Sequence, residues 1–451
     1  MNGTTGSQGL LRFNLGYWQA YDGDYFSYSQ QGDISNAARE GAAIVATGPR
    51  GPARFVKRNW NVSQELAIFI VNGQSNSLGV TANAVDIDPI ILEAPLPTKF
   101  MCAPGGLMPI QDGDGVNAVG TLIDVDCYQG PLVPARENIN TFRDSGKEVN
   151  RQSWASSFGQ VVADALPDDG SLVAIVNVAH GSTEFGEDVY GVLAHTSVTW
   201  SGGTATIVFT EDTGLIAGDV LTTVNPGGTW PSTLTLVTSD GTTATATVAS
   251  DPGTFSGSLL GMQPPMVSAR RVAYYWADTI APAMGLTPKL RGFLYNGNES
   301  QDTYTANWLT GQDDPTRAQL DAMADYIGND PLTEPVWIIR GQVGYNVATW
   351  SALPTTMFNC GSNVSLAPLR AAIDPTRYNI VFPQYSSEHG APATEHNLHY
   401  QVQGHHDNGS RAGHLFLDAV TGDADHEPVY LIDGEDNLVR VANSTTITGS
   451  Y

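Results

Sequence analysis

Cysteine is scarce in this chain. Only Cys102, Cys127 and Cys360 occur among 451 residues. An odd trio is not a disulfide framework. Cys102 and Cys127 could pair outside a reducing compartment, but spacing alone does not decide it. Basic residues are scarce too: 21 Lys and Arg stand against 46 Asp and Glu, for a net charge of −25. That excess argues against nucleic acid and anionic membrane as partners, since both are polyanions. Apolar runs are short, and none reaches the length that spans a bilayer, so no membrane insertion is expected. Neither CxxC nor HExxH occurs, and Asp112-Gly113-Asp114-Gly115 lacks the full ligand series of a calcium loop, so no metal is expected. Met1 to Gly6 show neither a basic nor an apolar leader region, so no signal peptide is expected.

What is present describes a globular protein. Hydrophobic residues make up 41% and charged ones 15%, which excludes a disordered chain. Gly, Ser and Thr are abundant, favouring tight turns and β structure.

The chain is organised around Leu66-Ala67-Ile68-Phe69-Ile70-Val71-Asn72-Gly73-Gln74-Ser75-Asn76. The apolar, β-branched run is short enough for a strand buried on both faces. Gly73 permits a sharp turn at its end. Ser75 then falls at the carboxyl edge of an α/β sheet, where ligands of such sheets bind. It is either a nucleophile or a helix cap.

Residues 1–60 form an arm, used for attachment or oligomerisation or simply docked, with one short strand at Arg54–Lys57. Residues 80 to about 150 form a long irregular excursion. Trp154, Phe158, Val161, Val162 and Ala165 share a helix face. Ser171–Ala179 is a second buried strand, giving the βαβ rhythm of a parallel sheet. Residues 192–265 turn to Thr, Val, Gly and Ser at period two, which reads as an inserted β module. The α/β pattern resumes with a helix over Val267–Ala283 and a strand at Leu290–Tyr295. A helix over Thr316–Tyr326 and a strand at Pro335–Arg340 follow. After them come a helix over Val364–Ile373, a strand at Tyr378–Phe382 and a late helix over Gly404–Val420. The main domain is thus expected over 61–191 and 266–425, with a β tail over 426–451. Trp154 and Trp276 are expected in the core; Trp230, Trp308 and Trp350 fall in loop-like contexts that suit stacking on a sugar.

Four strand ends carry polar residues suited to one task. Ser75 offers a hydroxyl and Gly181 an unobstructed N–H. Asn296 or Asn298 offers an amide, and His396-Asn397-Leu398-His399 offers imidazole. Acyl transfer needs a base for the serine proton and N–H donors for the developing oxyanion.

On these residues the chain resembles the SGNH hydrolases, and among them the sialate O-acetylesterase-like carbohydrate esterases. Gly73-Gln74-Ser75-Asn76 matches the nucleophile block fully. Ala179-His180-Gly181-Ser182-Thr183 is similar to the second block, and Tyr295-Asn296-Gly297-Asn298-Glu299-Ser300 to the third with one extra residue. His396-Asn397-Leu398-His399 is similar to the last. The resemblance runs over residues 65–420 without the insertion. It implies an α/β, SGNH-hydrolase-like (flavodoxin-like) three-layer fold on a parallel sheet.

It further implies Ser75 as nucleophile and His399 as general base and then acid. The N–H groups of Gly181 and Ser75 and the amide of Asn298 or Asn296 would hold the oxyanion. Gln74, Asn76, Glu299 and Trp308 are expected to face substrate. The family's aspartate, three residues before the histidine, is His396 here. Adjacent Glu395 replaces it, or a backbone carbonyl orients His399, or a Ser-His dyad acts without it. Outside the motif, His399 would read as a surface histidine beside His405 and His406. The implied activity is carboxylic ester hydrolysis on an acetylated polysaccharide, with no cofactor. The other class that fits is a non-catalytic glycan-binding protein of a virion or cell surface. Arm, insertion and low charge suit a phage tail or spike subunit, extracellular or on a virion, in a homo-oligomer or with other virion proteins.

Overall fold

A computed structural model describes residues 11–13, 16–18, 44–48, 51–55, 60, 62–73, 77, 99–103, 107, 130–135, 142–144, 147–149, 153–179, 185–296, 311, 313–342, 377–383, 402–421, 429–431, 437–442 and 445–450. The main sheet is built from β1 (Glu65–Gly73), β2 (Phe100–Cys102), β3 (Val133–Pro134) and β4 (Leu172–Asn177). After the insertion it continues with β12 (Thr287–Asn296), β13 (Trp337–Gln342) and β14 (Asn379–Pro383). The order across the sheet is β14-β13-β12-β1-β4-β2-β3. All neighbours run parallel except β2 and β3. Without that short edge pair, the order β4-β1-β12-β13-β14 is that of flavodoxin-like sheets.

Burial explains why β1 sits in the middle. All nine of its residues are buried, as expected of a strand covered on both faces. Two cores result. On one face Ala67, Phe69 and Val71 meet α1 (Trp154–Ala165) and α4 (Val402–Thr421). There the rings of Phe69, Phe158 and Phe416 lie edge to face or tilted. On the other face Leu66, Ile68 and Ile70 meet α2 (Pro264–Tyr275) and α3 (Asp314–Ile327). Ser153 caps α1 by accepting the Ala155 N–H at 3.3 Å. Pro264 and Pro265 open α2, which runs through a π turn at Trp276–Ile280 and a last turn at Ala281–Met284, where Gly285 closes it at φ 71°. The expected helices and strands that fall within the described residues of this region are found, shifted by a few residues at their ends.

The insertion forms its own seven-stranded antiparallel sheet. Its strands are β5 (Tyr190–Leu193), β6 (His195–Ser201), β7 (Thr204–Phe209), β8 (Val220–Val224), β9 (Thr233–Ser239), β10 (Thr243–Thr247) and β11 (Ser258–Met262). The order is β5-β11-β8-β9-β10-β7-β6. Period-two alternation sends Ile207, Leu221, Leu234, Leu236 and Ala246 inward. These residues join the same hydrophobic cluster as α2 and the main sheet. A buried ion pair fixes the module, with Arg270 on α2 meeting Asp219 at 2.5 Å and the Gly214 carbonyl at 3.2 Å.

Three expectations need correction. Trp230 is not a sugar platform: it is 7% exposed, with its Nε1 donating to the Gly253 carbonyl and Phe255 against its ring. A large apolar ring finds more burial inside the module than on it. His405 is fully buried on α4 rather than at the surface. The strand read at Arg54–Lys57 is Gly51–Phe55, paired with Ile44–Gly48 in a hairpin. The helix expected over Val364–Ile373, the Asp112–Gly115 loop, Cys127 and Trp350 lie outside the described residues. Cys102 is buried in β2. Among the described residues no helix is long and apolar enough to cross a membrane, and no His, Cys, Asp or Glu cluster is gathered to hold a metal.

Candidate functional site

Three adjacent parallel strands end in asparagine. β1 reaches Asn72 before Gly73, β4 ends on Asn177 and β12 on Asn296. They lie side by side where the chain, having built one side of the sheet, returns to build the other. Such a switch point leaves a crevice beyond the carboxyl ends of the strands.

Each asparagine has a distinct set of bonds. Asn72 Nδ2 donates to the Asp188 carbonyl at 3.0 Å, and its Oδ1 accepts the Gly73 N–H at 2.7 Å. Asp188 closes the helical turn Phe185–Asp188 at the foot of the insertion, so the insertion's base is tied to β1. Asn177 Nδ2 donates to the Ser77 carbonyl at 3.2 Å, and its Oδ1 accepts the Ala179 N–H at 3.0 Å. The Ser77 hydroxyl is shared between the carbonyls of Asn72 at 2.8 Å and Asn296 at 3.1 Å. Asn296 differs: it is 1% exposed, and neither atom of its amide has a hydrogen-bond partner among the described residues.

Side-chain alternation says which way these groups turn. Leu294 and Ile175 pack in the core under α1 and α4, so Asn296 and Asn177, two residues on in their strands, share that face. The helix α4 begins at Val402, three residues after His399 in the chain. It packs closely on α1, since a Cβ on Gly409 would lie 2.0 Å from the Trp154 carbonyl. On the opposite face Tyr295 packs edge to face on Phe185, and the Arg340 guanidinium lies 5.8 Å from its ring. Arg340 is itself buried and pairs with buried Asp313 at 3.5 Å, which also meets Arg377 at 2.7 Å. Two buried charges thus stiffen the wall behind Tyr295.

Of the residues predicted for the site, Asn296 is described and stands at the switch point. Ser75, Gln74, Asn76, Gly181, Asn298, Glu299, Trp308, Glu395, His396 and His399 lie outside the described residues. β1 stops two residues before Ser75, and β4 and the two residues after it stop two before Gly181. Sequence reasoning missed Asn72, Ser77 and Asn177. The signal was present: three apolar runs, Ile-Phe-Ile-Val, Val-Ala-Ile-Val and Gly-Phe-Leu-Tyr, each stop on Asn.

The strand order and the insertion together define an α/β protein with an open sheet and an inserted β module. No protein-family model matches the chain, and no curated protein is detectably similar to it in sequence. Its structure is similar to that of a solved Arabidopsis thaliana protein, with 11% sequence identity, a TM-score of 0.38, and coverage of 78% of this chain and 98% of that one. The likeness is one of chain path and carries nothing about chemistry.

Proposed function

We propose that this chain is a serine carboxylic-ester hydrolase acting on O-acetylated carbohydrate. One observation carries the proposal. The central strand closes on Gly73, just before Gln74-Ser75-Asn76, in register with Asn296, whose buried amide has no partner among the described residues. An amide donor at the end of the strand next to the one that leads into Gln74-Ser75-Asn76 suits an oxyanion. Asn296, buried at the end of β12, is assigned that role in this reading.

In this reading Ser75 Oγ attacks the acetyl carbonyl while its proton passes to His399. The oxyanion is held by the Asn296 amide with the N–H groups of Gly181 and Ser75. Collapse breaks the C–O bond to the sugar, whose oxygen takes the proton from His399. Water, deprotonated by His399, then attacks the acetyl-enzyme and releases acetate. Carbohydrate as substrate is supported by the motif resemblance and by the module: residues 192–265 contain neither Lys nor Arg and are rich in Thr, which suits a neutral polyol.

The test is acetate release from p-nitrophenyl acetate and from an acetylated polysaccharide, by wild type and Ser75→Ala. Turnover by wild type alone is expected. Equal turnover by both removes the serine mechanism. Glycan binding by both proteins with no acetate from either favours the binding-protein reading instead.

A further inference from the structure

We infer that Asn177 and Ser77 are positioning residues that hold the nucleophile turn in register with its neighbour; this rests on the serine-esterase reading above. Ser77 follows Ser75 by two residues, and Ala179 precedes Gly181 by two. The one Asn177 side chain reaches both segments, donating to the Ser77 carbonyl at 3.2 Å and accepting from the Ala179 N–H at 3.0 Å. It is 1% exposed, so water does not substitute for either bond. The task needs a donor and an acceptor on one short planar group, which an amide supplies and a carboxylate does not.

Ser77 completes the tie. Its hydroxyl bridges the carbonyls of Asn72 and Asn296 at 2.8 and 3.1 Å, so the segment after β1 is held to the end of β12 as well as to β4. Ser77 and Ala179 are thereby held to the strand ends, each two residues from a proposed reacting group, Ser75 and Gly181. Reacting atoms must meet within a few tenths of an ångström, and a shift of about 1 Å costs about a hundredfold in rate. Loosening this tie therefore acts on turnover, not on substrate binding.

The experiment uses the full chain with three variants. Asn177→Asp keeps the shape and the acceptor but loses the donor; Asn177→Ala loses both; Ser77→Ala loses the hydroxyl and leaves every main-chain bond in place. Kinetics with p-nitrophenyl acetate are read alongside the rate at which a fluorophosphonate probe labels Ser75, with a urea melt to establish folding. The expected result is kcat lowered about ten- to a hundredfold, KM within about twofold, and labelling slowed in step. If the Asn177 variants do not fold, Ser77→Ala decides the matter. Folded variants with wild-type kcat, or with the loss expressed in KM, overturn the inference while an active, labelled wild type leaves the esterase reading standing. A wild type that neither turns over nor is labelled sinks that reading and this inference with it.

Discussion

The main-chain carbonyl of Asn296 fills the space that a side chain on Gly73 would need. A Cβ built on Gly73 would lie 2.2 Å from that oxygen and 2.8 Å from the Ser77 hydroxyl. Gly73 also holds φ at +120°, a conformation that side chains oppose. The two strands that flank the switch point approach this closely only because one of them ends in glycine.

Gly73→Ala is therefore expected to fail on two counts. Strain and the clash with main chain together cost about 3 kcal/mol or more, read as a lower urea midpoint. The clash is relieved only by parting β1 from β12, so the proposed esterase activity is expected to fall even in the fraction that remains folded. A variant with wild-type midpoint and wild-type rate would show that the two strands tolerate separation.

Asn296→Ala separates activity from stability. If Asn296 is the oxyanion donor proposed above, its removal costs about 10²–10³ in kcat. Removing a buried amide that has no partner among the described residues relieves a desolvation penalty, so the thermal midpoint is expected to stay level or rise. Parallel loss of rate and midpoint would assign Asn296 to the framework instead.

Much of this was legible from local pattern. β1, β4, α1 and the inserted module announce themselves because their period and turn residues agree with their burial. The bonds between strand ends were not legible. Asn72, Asn177 and Asn296 look alike in sequence, yet one anchors the insertion, one bonds both Ser77 and Ala179, and one has an amide without a partner among the described residues. That difference arises from which strands the topology sets side by side, over separations of 100 residues or more such as Asn177 with Ser77. Trp230 was misread for a related reason: loop context says nothing of whether a small β module has an interior large enough to take an indole. Arg340 read as the end of an apolar strand, and its pairing with Asp313, which precedes α3, was not visible there.

The opposite end of the sheet offers a stability test independent of the site. Arg291 on β12 makes a two-pronged pair with Glu65 at the start of β1, at 2.7 and 2.5 Å, and its guanidinium lies over Trp60. Their side chains are 12% and 6% exposed. Arg291→Met leaves Glu65 buried beside an apolar group, with an expected loss of about 3–5 kcal/mol. Glu65→Leu in the same chain should recover most of that loss, because it removes the stranded charge. Because the pair sits at the amino end of the strands, kcat per folded molecule should not change in either variant.

Asp169 gives a pH test with a definite sign. One carboxylate oxygen accepts the N–H of Gln64 at 2.9 Å, just before β1, and the other accepts the N–H of Ser171 at 3.0 Å, just before β4. The Ser171 hydroxyl, then these N–H groups, lower its pKa from the ordinary 3.8 to about 2. A carboxyl with a depressed folded-state pKa contributes stability that is fully present above 3.8 and is lost as pH falls from there through about 2. Asp169→Asn should therefore lag wild type in urea at about pH 7 and lag it less at about pH 3. The group is exposed, so the difference is small and weakens with salt. A lag that is constant or grows on acidification would mean that the charge of Asp169 does not hold the two strand entrances together.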